Sequence, residues 1–153
     1  MKIKDLMTTD VKFCTPDTTV AEAAHLMWEG DCGILPVVDD GELVGVVTDR
    51  DMYIALATQN ARASRLKVGA LATKTLATCV PEDDVQSALA TMKQARVRRL
   101  PVVGFGGTVL GILSMNDILL AAGAGKEVGS EDVVATLQAI CAHHHPVPHV
   151  VAA

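Results

Sequence analysis

The sequence predicts a mixed α/β (α+β) fold of two βαββα repeats, related by a pseudo-two-fold axis and followed by a C-terminal helix. Three observations predict it. First, the chain of 153 residues repeats itself: Cys14, Pro16, Val20, Ala23, Met27, Leu35, Pro36, Val37 and Val38 recur as Cys79, Pro81, Val85, Ala88, Met92, Leu100, Pro101, Val102 and Val103. Second, each copy carries a pair of short β-rich runs joined by a turn. Third, apolar residues at helical spacing flank those runs. The unit is too long for a solenoid repeat and too short for a large domain of its own, so two half-modules sharing two related clefts are expected.

In the first repeat, Val11–Cys14 reads as a short extended segment closed by Pro16, a residue that disfavours helix just before it. Thr19-Val20-Ala21-Glu22 has the form of a capping box. It opens a helix over about 20–29 with Val20, Ala23, Ala24 and Met27 on one face. The matching face in the second repeat is Val85, Ala88, Leu89 and Met92, entered through Asp83 and Asp84. Ile34–Val38 and Leu43–Thr48 are β-rich and joined by the turn Asp39-Asp40-Gly41-Glu42. Their partners are Leu100–Val103 and Val109–Ser114, joined by Gly104-Phe105-Gly106-Gly107. Helices are expected over 49–58 and 115–122. Ser130 can cap a last helix whose stripe is Val133, Val134, Leu137, Ile140 and Cys141. The chain thus divides into repeat 1 (1–58), a linker (59–67), repeat 2 (68–122) and a C-terminal helix and tail (123–153).

Composition narrows the function. Half of the chain is hydrophobic, which suggests a buried interface between halves or subunits, but only 3% is aromatic and the net charge is −5. Nucleic acid as a partner is therefore not expected, since it calls for a basic face and stacking platforms. No run is apolar enough to span a membrane and no leader opens the chain, so a cytoplasmic location is expected. Cys14, Cys32, Cys79 and Cys141 form no C-x-x-C pair, so no metal centre is assigned. Cys141 and the tail His143-His144-His145-Pro146-Val147-Pro148-His149 leave a redox- or metal-responsive role as a weakly supported alternative. No nucleophile–base pair stands out, and no enzymatic activity is expected.

Two clusters bear on binding. Thr48-Asp49-Arg50-Asp51 and Ser114-Met115-Asn116-Asp117 both run S/T-x-x-D from a strand into a helix. This is a helix cap in its own right. The same geometry offers helix N–H groups to a phosphate and a carboxylate to ribose hydroxyls. Gly45 and Gly111, three residues earlier, permit close approach of a ligand or a neighbouring strand. Arg96, Arg98 and Arg99 precede the Leu100–Val103 strand. They read either as a solvated edge paired with the carboxylates at 82–84 or as a phosphate clamp. The matching positions in repeat 1, Asp31, Gly33 and Ile34, carry no positive charge, so the two clefts are expected to differ.

The ordered set of Leu-Pro-Val-Val strands and Gly-x-x-Thr/Ser-x-x-Asp motifs, present twice over residues 1–122, closely resembles tandem cystathionine-β-synthase-like (CBS) domains, the Bateman module. The opening Lys4-Asp5-Leu6-Met7-Thr8 is also typical. The resemblance implies disc-like homodimers and an adenosine ligand in the clefts: AMP, ADP, ATP or S-adenosylmethionine. Carried over by position, Asp51 would hold a ribose, and Thr48 and Arg50 would stand beside it. Arg98 and Arg99 would face the phosphates, and Ala77 and Val97 would flank the adenine of this first cleft. A second cleft would use Ser114 and Asp117 with Lys12, Cys32 and Gly33. Asn116 in place of Arg50, and Gly33-Ile34 in place of the arginine pair, put phosphate binding there in question. The reading is a stand-alone regulatory module acting on an unknown protein target. The alternative is a structural dimer that uses the fold without ligand.

Overall fold

In the computed structural model, residues 1–123 and 126–142 are described. Helix α1 spans Val20–Glu29, strand β1 Ile34–Asp39, strand β2 Glu42–Thr48 and helix α2 Asp49–Gln59. The second repeat follows the same order: α3 Val85–Ala95, β3 Arg99–Val103, β4 Val109–Ser114 and α4 Met115–Ala121. Helix α5, Ser130–Cys141, closes the described chain. Each repeat builds one antiparallel pair, β1 with β2 and β3 with β4, and both pairs carry a register shift at the equivalent valine step.

The expected strand Val11–Cys14 shrinks to one residue. Cys14 bridges in parallel to Val37, and its repeat equivalent Cys79 bridges to Val102. Pro16 and Pro81 stand two residues further on and lack the N–H a longer ladder needs. The last helix begins where expected, but Ser130 does not cap it: the cap position is Gly129, with no side-chain bond. Asp84 caps α3 by position only. The Thr19–Glu22 box forms as expected, with the Thr19 N–H donating to Glu22 at 2.8 Å. Those bonds hold the Glu22 carboxyl below its ordinary range.

The repeats exchange their leading segments. Thr8 bridges antiparallel to Ile112 of β4, and Thr73 bridges to Val46 of β2. The Ile3 and Lys4 N–H groups donate to the carbonyls of Asp83 and Pro81 at 3.0 and 3.1 Å. Ile3 is accordingly buried in the core of repeat 2, with Leu100, Leu113 and Ile118, while Val68 is buried in the core of repeat 1, with Leu35 and Val47. The carboxylates at 82 and 84 take part in this exchange: Lys4 pairs with Glu82 and Lys2 with Asp84, both at 3.0 Å.

Gly45 and Gly111 serve the exchange as well. A Cβ on Gly111 would stand 2.6 Å from the Thr8 carbonyl oxygen, and one on Gly45 would stand 3.3 Å from that of Thr73. The close neighbour is thus a strand. Gly111→Ala is expected to displace the 7–8 segment and to cost about 1–3 kcal/mol by overpacking, read as a lower denaturant midpoint. Gly41→Ala meets no atom within 4 Å; its cost is the strain of a φ of +83° alone.

Helix α5 packs across α3 and α4, burying Val133 in the core of repeat 2. Among the described residues no helix is long and apolar enough to cross a membrane, and no group of three or more His, Cys, Asp or Glu could hold a metal ion. The histidine-rich stretch 143–149 lies outside the described residues.

Candidate functional site

Both hydroxyl–carboxylate motifs are helix caps, and the cap leaves them free for more. The Thr48 hydroxyl donates to Asp51 Oδ2 at 2.7 Å, and the Asp51 N–H donates back to Thr48 Oγ1 at 3.2 Å. Ser114 and Asp117 repeat this at 2.7 and 3.3 Å. In each box the backbone N–H of the hydroxyl residue also donates to Oδ2. The box occupies one oxygen of each half-buried carboxylate, and Oδ1 is left to accept from elsewhere. A capping role and a ribose-binding role are therefore compatible, which the motif alone could not establish.

The second motif opens onto a cavity of about 460 Å³. Ser114 and Asp117 of repeat 2 line it together with Lys12 and Cys32 of repeat 1, so both repeats contribute. Four of the five residues expected at the second cleft are thus brought together. Gly33 instead lines an adjoining groove on the α1–α2 face, where a Cβ would stand 2.8 Å from Asp49 Oδ2. A broader depression of about 710 Å³ along the outer face of α1, lined by Thr15, Glu22 and His25 among others, lies away from both motifs.

The arginine pair does not form one clamp. Arg99 begins β3 directly opposite Ser114 and lines the second cavity. The Arg98 guanidinium donates to Cys141 Sγ on α5 at 3.4 Å. Arg98 lies in the bend before β3 and Arg99 is the first residue of the strand, so neighbours in sequence face different surroundings. Arg99, expected at the first cleft, lines the second cavity together with Lys12, which was expected there. At the first cleft, Thr48 and Asp51 hold their cap, Arg50 is exposed, and Ala77 and Val97 pack half-buried against the core of repeat 2.

Sequence reasoning missed Asp10, Glu29 and Asp31, which line the same cavity. Asp10 was signalled by its closeness to Lys12. Glu29 and Asp31 were signalled by the end of α1, which points the chain into the cleft just before Cys32. Asp31 holds a left-handed φ of 45°, a conformation that Asp and Asn tolerate better than most residues.

The buried thiols are structural. Cys14 and Cys79 face the carbonyls of Pro36 and Pro101 at 3.7 and 3.9 Å. Burial pushes each thiol up from an ordinary 9.0 to about 11. A raised folded-state value means the stability linked to these thiols is complete below the unfolded value and is lost as pH climbs through the folded one. Denaturant unfolding should therefore show stability falling between pH 9.0 and about 11, and a Cys14→Ala/Cys79→Ala variant should flatten that fall.

Comparison with known proteins agrees with this architecture. The family model for the CBS domain matches residues 3–58 and again 68–123. The chain is 34% identical over 128 residues to the CBS domain-containing protein YhcV of Bacillus subtilis, covering 84% of this chain and 90% of that one. Among solved structures, the CBS domain pair of protein MJ0100, in complex with 5′-methylthioadenosine and S-adenosyl-L-methionine, superposes with a TM-score of 0.70 at 25% identity, over 77% of this chain and 92% of that one. The CBS domain protein TA0289 of Thermoplasma acidophilum shares the fold over 97% of this chain and 82% of its own, with a TM-score of 0.79 at 22% identity. Two matched repeats, each with its capped S/T-x-x-D helix entrance and its exchanged leading segment, make this chain a tandem CBS domain pair, a member of the CBS domain family.

Proposed function

We propose that this regulatory CBS pair senses an adenosine-containing ligand bound in the cavity lined by Lys12 and Cys32 of repeat 1 and Ser114 and Asp117 of repeat 2. The observation that carries the reading is the cavity itself. It is open, built by both repeats, and presents a carboxylate with one oxygen uncommitted at a capped helix entrance. Asp117 Oδ1 accepts from the ribose hydroxyls, as acidic residues do in dinucleotide folds. Val11 and Ile112 supply apolar wall for the adenine. The complex of MJ0100 with two adenosine compounds supports the same class of ligand.

A ligand that touches both repeats favours the arrangement in which they are correctly juxtaposed, and it shifts that equilibrium only by its difference in affinity between states. A protein target, or a second copy of the chain, reads the shift. Thermal unfolding with adenosine, AMP, ADP, ATP and S-adenosylmethionine tests the reading. At about a hundredfold excess over Kd a true ligand stabilises by about 2.7 kcal/mol. Unchanged melting with all five would contradict it and favour a structural pair that works without ligand.

A further inference from the structure

We propose that the ligand's 5′ substituent is a zwitterionic amino-acid group, not a polyphosphate, and that Glu29, Asp31 and Arg99 make that selection. The inference rests on the adenosine reading above and concerns only the part of the ligand beyond the ribose.

Adenine and ribose are uncharged, so the 5′ substituent carries whatever charge the ligand has. The cavity wall holds four carboxylates, Asp10, Glu29, Asp31 and Asp117, against two cations, Lys12 and Arg99. With Asp117 turned to Ser114 and the ribose, the rest of the wall still has more negative than positive groups. A triphosphate brings only negative charge to such a wall and is repelled by three of its five ionised groups. A zwitterion finds a partner for each end.

The backbone points the same way. Phosphates are held at helix entrances by free N–H groups. At the entrance of α4, the Met115 N–H already donates to the Arg98 carbonyl at 2.9 Å, and the Asp117 N–H donates to Ser114 Oγ. The helix has seven residues, which limits its dipole further. Two of the first three N–H groups of the helix are thus committed, and Arg99 is the side-chain donor suited to a carboxylate. It is half-buried, it takes no hydrogen bond or ion pair among the described residues, and its fork matches a carboxylate in two bonds. In the same cavity, the Asp31 carboxylate has no partner among the described residues, and Glu29 uses Oε1 on His25 at 3.3 Å. Those carboxylates accept from an ammonium group. Asp31 and Arg99 also line the adjoining groove on the α1–α2 face, so they stand where the cavity and that groove meet.

Calorimetric titration of the full chain with S-adenosylmethionine, adenosine and ATP tests the assignment. S-adenosylmethionine should bind at least about tenfold tighter than ATP, a difference of about 1.4 kcal/mol. Asp31→Asn with Glu29→Gln should narrow that ratio at least several-fold, because asparagine tolerates the left-handed backbone and the fold is kept. Arg99→Gln should weaken S-adenosylmethionine and leave adenosine unchanged. ATP binding as tightly as S-adenosylmethionine, or a ratio that the double variant does not move, would overturn the charge assignment while adenosine binding keeps the cleft reading intact. Failure of all three probes, adenosine included, would overturn both.

Discussion

Replacing Ile3 with alanine is expected to cost about 2–5 kcal/mol, although the residue lies in the first turn of the chain. The side chain is fully buried in the core of repeat 2, and truncating a buried isoleucine loses both its transfer free energy and the packing around the cavity left behind. The backbone on either side is pinned to the 81–83 turn and to β4, so the segment cannot slide inward to fill the space. Urea unfolding measures the loss. Leu120→Ala serves as the control: it is 83% exposed and should shift stability by no more than about 0.5 kcal/mol. An Ile3→Ala variant as stable as that control would mean that the leading segment is not part of the second repeat's core.

The second large effect is expected at Asp117. Asp117→Ala removes the reciprocal half of a capping box, which costs about 1 kcal/mol. It also removes the ribose acceptor, so the stabilisation of about 2.7 kcal/mol by a saturating adenosine ligand should vanish. Asp51→Ala loses the equivalent cap and should keep the ligand-induced stabilisation. Melting curves of both variants, with and without adenosine, separate the two losses. A ligand shift that survives in Asp117→Ala and disappears in Asp51→Ala would transfer the site to the first cleft.

Much of this fold was legible in the residues. The duplicated Leu-Pro-Val-Val runs are strands because β-branched residues alternate there with turn sequences on either side. The helices carry their stripe at the spacing that one face of a helix requires. The S/T-x-x-D boxes formed as caps at both helix entrances. What escaped was the way the leading segments cross between the repeats. Their pairing with the strands is made by isolated bridges, Thr8 with Ile112 and Thr73 with Val46, and one residue shows no period. Gly45 and Gly111 looked equally suited to a ligand or to a strand, and only the facing carbonyls of Thr73 and Thr8 decide for the strand.

The arginines show the limit most sharply. Arg98 and Arg99 are adjacent, and adjacency suggested a joint clamp. At the bend that leads into β3 the two diverge, one to Cys141 on α5 and one to the wall beside Ser114. The acidic residues at the end of α1 were equally hard to place, because their relevance depends on Asp31 turning the chain back over the cleft. Which cleft holds Arg99 was not readable from the sequence.

The central claim is that an adenosine ligand sits between the repeats at the second motif. A crystal structure of the chain grown with adenosine tests it most directly. The account predicts density in the cavity bounded by Lys12, Ser114 and Asp117, with the ribose hydroxyls on the Asp117 carboxylate. Adenosine lodged against Asp51 and Ala77 instead, or an empty cavity at saturating adenosine, would contradict it.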